Sequence, residues 1–189
     1  MHRTFLVILA IFLGVSSSLS AEPIVELLMK DGETEQIVKI QLLPERAPVT
    51  VENFLTLAKR GFYKGTSIHR VVFGVLVQMG DPYSKRKDAA NLGTGGPGYT
   101  LPAEIGGPVK KGAVAMGRLP NALNPSKASN GSQFFVALRN MPEWNGEYTV
   151  FGQVVEGLEF LEEVSRRRAD ANDVPYQPVI IRKTTIIAE

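Results

Sequence analysis

The sequence predicts a closed β-barrel capped by two α-helices. Two observations carry this expectation. Many short apolar, β-branched runs are spaced along the chain, and only two stretches show helical spacing. The chain has 189 residues, which suits one domain once a targeting segment is set aside.

That segment is the N-terminus. Met1-His2-Arg3 is a short basic start, and Phe5 to Val15 is apolar apart from Gly14. Ser16 to Ala21 is small and mostly polar. This is the order of a secretory signal peptide. The apolar run is about 11 residues, well short of the roughly 20 of a membrane span. The expected division is residues 1–20 as signal, cleaved near Ser20 or Ala21, and residues 21–189 as a single domain.

The strands and helices follow in order. Ile24–Lys30 and Glu35–Leu43 flank Asp31-Gly32, a hairpin step. Val51, Phe54, Leu55 and Ala58 fall at helical spacing, with Thr50 placed to cap and Gly61 to terminate. Thr66–Val72, Val75–Met79, Gly112–Met116, Gln133–Leu138 and Tyr148–Val154 read as short strands. Gly157–Arg168 reads as the second helix, with Leu158, Leu161 and Val164 inward. Arg166, Arg167 and Arg168 complement the negative end of its dipole, as a solvated helix end. Val179–Ile187 closes the chain. Asp81–Lys111, rich in Gly, Pro, Lys and Asp, reads as a long irregular region, and loops of that length are usually functional or mobile.

Composition excludes several chemistries. The chain has no cysteine, so disulfides, thiolate zinc sites and cysteine nucleophiles are out. Of two histidines, His2 lies in the signal, and His69 alone cannot build a multi-histidine metal centre. Without Arg3 the charge is 20 basic against 19 acidic residues, too balanced to indicate nucleic acid or an anionic membrane.

Two motifs carry little. Gly93 to Gly98 satisfies G-x-G-x-x-G, but a polar loop precedes it, Pro97 interrupts it and an extended segment follows, so tight turns are expected rather than a nucleotide site. Asn130-Gly131-Ser132 fits a glycosylation sequon but reads better as a turn feeding QFFVAL. No G-x-S-x-G elbow is present. His69 and Arg70 are adjacent in a strand and point to opposite faces, so His69 is expected to be structural.

A different constellation stands out in IHRVVFGVLVQMGD (68–81). Arg70 is expected to point inward with Gln78 and Gln133, beside apolar Leu76, Met116, Phe134 and Phe135. No acid, base or nucleophile accompanies them. Such a site suits chemistry without proton transfer or a covalent intermediate, or simple binding of an apolar group flanked by amides.

VTVENFLTLAKRGFYKGTSIHRVV, Q-x-GDP, GTGGPGY, KKGAVAMGR, SNGSQFFVAL and YTVFGQVVEGLEFLEEV, in that order, resemble the cyclophilins, which are peptidyl-prolyl cis-trans isomerases. The likeness runs from about Ile24 to Ile187. It implies an eight-stranded antiparallel barrel with two capping helices and no cofactor or metal. It makes Arg70 the catalytic residue and Gln78 the holder of the substrate backbone. It makes Phe135 the floor of a proline pocket with Met116 and Leu76 as walls, and Gln133 and Gly117 parts of the adjoining peptide groove. Phe134 is expected in the core, since neighbours in a strand alternate faces.

The chain departs from the family in places. Phe73-Gly74-Val75 replaces proline-glycine-phenylalanine, so Val75 is a smaller wall, with Phe73 two residues away. MPEWNGEYTVFG is one residue short, and Trp144 fits either the tryptophan or the leucine position. Tyr148 stands for a common histidine, and Arg118 for a common asparagine. Residues 119–129 are longer than in compact members and resemble some exported bacterial ones. Altered sequence preference and weak cyclosporin binding are expected.

The expected function is isomerisation of Xaa-Pro bonds in exported proteins, in the periplasm or secreted from a bacterial cell. Expected partners are proline-containing polypeptides, with no nucleic acid, no stable membrane insertion after cleavage and a monomeric state. The alternatives are a non-catalytic proline-peptide module and a barrel that binds a small molecule.

Overall fold

The computed structural model describes residues 22–86 and 89–188. The signal-peptide expectation therefore lies outside the described residues. The elements are β1 (Ile24–Asp31), β2 (Thr34–Leu42), α1 (Pro48–Lys59), β3 (Arg70–Val72), β4 (Leu76–Met79), β5 (Ala113–Met116), β6 (Phe134–Ala137), β7 (Val150–Glu156), α2 (Leu158–Ser165) and β8 (Val179–Ala188). Short 3-10 turns lie at Pro82–Lys85, Ala89–Asn91 and Pro142–Trp144.

The strands form one antiparallel sheet in the order β3-β4-β6-β5-β7-β2-β1-β8. The sheet curls until its two edges meet. Ser67, just before β3, bridges Ile180 of β8. Ile68 N donates to Val179 O at 2.9 Å and Ile181 N donates to Thr66 O at 2.8 Å. Joining these edges removes unpaired backbone groups that would otherwise invite other strands.

Alternation divides every strand between two faces. One face fills the barrel. Phe54 of α1 meets Tyr63, Phe134 and Phe151 there, with ring centroids 5.0, 5.4 and 5.2 Å away. Val71, Val77, Val114, Met116 and Val136 pack in the same interior cluster. The other face of β4, β5 and β6 carries a separate cluster that includes Leu76, Ala113, Ala115, Phe135 and Ala137.

Three local expectations are corrected. The hairpin turn is Gly32-Glu33, because Asp31 pairs with Thr34, and Gly32 takes the positive φ of 58°. Thr50 does not cap α1. The helix starts at Pro48, and Thr50 is buried within its first turn. Glu104, from the long loop, accepts from Val49 N at 3.0 Å, Thr50 N at 2.8 Å and Thr50 Oγ1 at 2.7 Å. A carboxylate there satisfies orphan N–H groups and complements the dipole. The end of α2 is also more than a solvated cluster. Arg167 donates from both terminal nitrogens to Asp31 of the β1–β2 hairpin, at 2.6 and 2.7 Å.

The long loop is held from below. Asp81 is fully buried, and its carboxylate accepts from Tyr83 N at 2.7 Å and Gly93 N at 2.5 Å. Gly80 has φ +89°, and a Cβ there would lie 2.3 Å from Ser132 O. Only glycine fits that crossing of β4 and the turn before β6. Among the described residues no helix is long and apolar enough to cross a membrane.

Candidate functional site

The site begins with strand register. Arg70 of β3 pairs opposite Gln78 of β4, Gln78 opposite Phe135 of β6, and Phe135 opposite Ala115 of β5. Directly opposed residues share a face, and neighbouring strands lie about 4.8 Å apart. Four strands thus lay a cation, an amide, an aromatic ring and a small residue in one row on the outward face.

This row corrects the expectation of an inward Arg70. Its side chain is 44% exposed and pairs with Asp173, Nε donating to Oδ2 at 3.2 Å. The barrel interior at that level belongs to Val71 and Val77. An exposed position spares the guanidinium the desolvation that burial would impose.

The two glutamines are ordered by the loop. Gln133 is 2% exposed, and its Nε2 donates to Gly93 O at 2.9 Å and Gly95 O at 2.7 Å. Its Oε1 therefore faces Gln78 and accepts from Gln78 Nε2 at 2.8 Å. The amide of Gln78 is fixed by this relay, and its own Oε1, an acceptor, has no hydrogen-bond partner among the described residues.

Phe135 sits under a small aromatic roof. Tyr148 and Trp144 meet its ring at 5.2 and 5.6 Å with interplanar angles of 85° and 88°. Such edge-on pairs add about 0.5–1.5 kcal/mol each beyond area burial. Leu76 and half-buried Val75 pack in the same cluster. Trp144 thus borders the Phe135 ring whichever family position it fills. Phe73 does not compensate for the smaller Val75: it is 73% exposed.

Met116 is not a wall of this cluster. It is opposite Phe134, 2% exposed, and packed in the barrel interior. Ala115, one residue earlier, is the β5 residue that faces Phe135. Phe134 is fully buried in the interior, on the face expected of it.

Beside the row lies a groove of about 610 Å³, lined in part by Gln78, Thr94, Gly117, Arg118, Leu123 and Gln133. A Cβ at Gly117 would make ordinary contact, 3.4 Å from Gln133 Cβ and 3.5 Å from Gln78 Nε2, so this position borders both glutamines. Arg118 forms the rim. Its side chain is 6% exposed, its guanidinium lies 4.8 Å from the Tyr148 ring centre, and it donates to Glu147 Oε2 at 2.9 Å. Lys127 donates to Glu147 Oε1 at 2.9 Å. Lys127, then Asn121, holds the Glu147 carboxyl below the usual carboxylate range, with Arg118 adding to the effect. Glu147 thereby ties the 119–128 loop to the rim.

His69 takes no place in the row. It is 3% exposed, and neither ring nitrogen has a hydrogen-bond partner among the described residues. Burial pushes its pKa down, against the opposing pull of Asp81. Gly93 and Gly98 have φ of 86° and 94°, and the segment after them is not a helix. Asn130 Oδ1 accepts from Ser132 N and Gln133 N at 3.3 and 3.0 Å, forming the turn that feeds β6. Among the described residues no group of three or more His, Cys, Asp or Glu is arranged to hold a metal ion. Sequence reasoning missed Asp173, the partner of Arg70, and Ala115. The small–large alternation of AVAM was the available signal for Ala115.

Comparison with known proteins gives a consistent result. Residues 27–186 match the family described as cyclophilin type peptidyl-prolyl cis-trans isomerase/CLD. The chain is 40% identical over 141 residues to peptidyl-prolyl cis-trans isomerase B of Bacillus subtilis, covering 73% of this chain and 87% of that protein. It is 37% identical over 180 residues to a probable peptidyl-prolyl cis-trans isomerase of Brucella suis, covering 92% and 87%. A crystal structure of a Cryptosporidium parvum cyclophilin superposes with TM-score 0.75 at 28% identity, covering 88% of this chain and 98% of that one. A second structure of that protein, in the presence of the dipeptide Ala-Pro, superposes with TM-score 0.73.

Proposed function

From the premise that the chain belongs to the cyclophilins and is a peptidyl-prolyl cis-trans isomerase, we propose that the Arg70–Gln78–Phe135 row is where the Xaa-Pro bond turns. Rotation about a peptide bond is opposed by amide resonance, a barrier of about 18–20 kcal/mol. Uncatalysed prolyl isomerisation takes roughly tens to hundreds of seconds. In the twisted state the proline nitrogen leaves conjugation and regains a lone pair. A donor aimed at that nitrogen stabilises the twisted state more than either planar one, and only such differential binding speeds the step.

Each member of the row has a part. Arg70 supplies the donor, because Nη1 and Nη2 have no hydrogen-bond partner among the described residues. Gln78 Oε1 accepts a substrate backbone N–H, while Gln133 and Gly117 shape the adjoining groove. Phe135, with Leu76, Val75, Trp144 and Tyr148, receives the pyrrolidine ring. Arg118 acts through Tyr148, on which it stacks, rather than as a free charge for substrate. No proton moves, and the reading uses no cofactor or metal.

The observation that carries this reading is the register that sets Arg70, Gln78 and Phe135 side by side on three strands. Proline-containing polypeptides are the substrates, a reading supported by the related structure with Ala-Pro. The basic–apolar–small pattern of residues 1–21 supports action on exported proteins, outside the cytoplasm of a bacterial cell.

Exchange NMR on a short Ala-Pro peptide tests the mechanism. The protein should speed exchange, and Arg70→Ala should slow it by about 10²–10³, the usual loss for one transition-state donor. Equal rates for the two proteins would refute the role of Arg70. Peptide binding without acceleration would point to a non-catalytic module.

A further inference from the structure

We infer that Asp173 is a positioning residue for the isomerisation. Its carboxylate holds Arg70 by Nε and leaves the two terminal nitrogens for the substrate. The inference rests on the role given to Arg70 above.

Asp173 reaches β3 twice. Its carbonyl accepts from Val71 N at 2.8 Å, and its carboxylate accepts from Arg70 Nε at 3.2 Å. Consecutive residues of the strand are therefore gripped by one loop residue, on the edge of β3 away from β4. The loop itself is closed. Asp170 Oδ1 accepts from Asn172 N and Val174 N at 2.8 and 2.9 Å, and Asp170 N donates to Val174 O at 2.9 Å. Asp173 is presented from a braced turn.

The backbone alone does not call for a carboxylate. Asp173 has φ +64°, where glycine is at ease and Asn and Asp are the best tolerated of the rest. Glycine or asparagine would fit this turn at least as well. What aspartate adds is the ion pair with Arg70.

That pair matters because nothing else described holds the guanidinium. Gln78, its cross-strand neighbour, spends Nε2 on Gln133. Arg70 is 44% exposed, and a free arginine samples many rotamers. A donor fixed in place before the peptide twists need not be ordered in the transition state. Bonding through Nε, rather than through the guanidinium tip, keeps the tip available.

The test compares Asp173→Asn and Asp173→Gly, in wild-type and Arg70→Ala backgrounds, by exchange NMR across a range of Ala-Pro peptide concentrations. Each variant should lower kcat about twofold to fivefold, with KM within about twofold, the scale of one exposed ion pair. Thermal unfolding midpoints should not fall, since both residues suit the turn. In the Arg70→Ala background neither change should slow exchange further. The deficit of Asp173→Asn should also shrink in about 1 M salt, where screening acts within about 3 Å. Wild-type or faster rates in the Asp173 variants, with Arg70→Ala slow, would overturn this inference alone. So would equal losses in both backgrounds, which would mark a structural role. Wild-type rates in Arg70→Ala would remove the reading of Arg70 and this inference with it.

Discussion

Phe134 and Phe135 are neighbours in one strand and do opposite work. Phe134 faces the barrel, where Phe54, Tyr63 and Phe151 surround it at 5.4, 5.7 and 6.2 Å. Phe135 faces outward, under Tyr148 and Trp144 and beside Gln78. The same division separates Val77 from Gln78 and Val71 from Arg70. At the proposed site the barrel thus offers the substrate an outer wall whose inner side is the core. A change on the inner face should register as stability, and one on the outer face as rate.

Truncating each ring in turn separates the two faces. Phe134→Ala should cost about 3–5 kcal/mol of unfolding free energy in urea titrations, as for other buried aromatics. Phe135, 3% exposed beneath Trp144 and Tyr148, should also cost stability when cut to alanine, but that change alone should lower kcat/KM about tenfold to a hundredfold, the worth of one apolar contact surface to the bound proline. Equal stability losses with no loss of rate in Phe135→Ala would dissolve the distinction.

A tie remote from the row should affect stability alone. Arg167 bonds to both oxygens of Asp31, and this hydrogen bonding, chiefly, lowers the Asp31 pKa. A carboxyl with a depressed folded pKa contributes stability above its unfolded value of about 3.9, and that contribution is lost as pH falls through the folded value. Asp31→Asn should therefore cost about 1 kcal/mol at neutral pH. The difference from wild type should shrink in acid, with peptide exchange unchanged at pH 7. A slower exchange rate would show that the tie reaches the site.

The smallest expected effect sharpens the outer face. Val75→Phe enlarges the wall where Phe73 gives no help, and should lower KM for an Ala-Pro peptide about twofold to fivefold. The unfolding midpoint should hardly move. A rise in KM would mean that Trp144 and Tyr148 already close the space.

Much of this was legible because strands repeat with period two and helices with period 3.6. Both helices, the eight strands, interior Phe134, and the grouping of Gln78 and Gln133 with Phe135 could be read from local pattern. The resemblance implies Met116 as an apolar wall, but strand parity sets it opposite Phe134 on the interior face. The alternation in AVAM puts the alanines outward, where the Phe135 ring needs room. Contacts made by distant loops were beyond reach. Glu104 caps α1 from 54 residues on, and Asp173 meets Arg70 from 103 residues on. Neither spacing carries a period. The exposure of Arg70 follows from the same limit, since the strand pattern tells its face but not what covers it.

In the proposed site the outward face of β3, β4, β6 and β5 binds the substrate while the inward face is scaffold. Methyl NMR of the protein titrated with an Ala-Pro peptide tests it most directly. Leu76, Val75 and Val72 pack in the outer cluster, and Val71, Val77 and Val136 in the inner one. Shifts and exchange broadening are expected on the outer methyls, with the inner ones far less affected. Broadening that is equal on both sets, or centred elsewhere on the barrel, would contradict it.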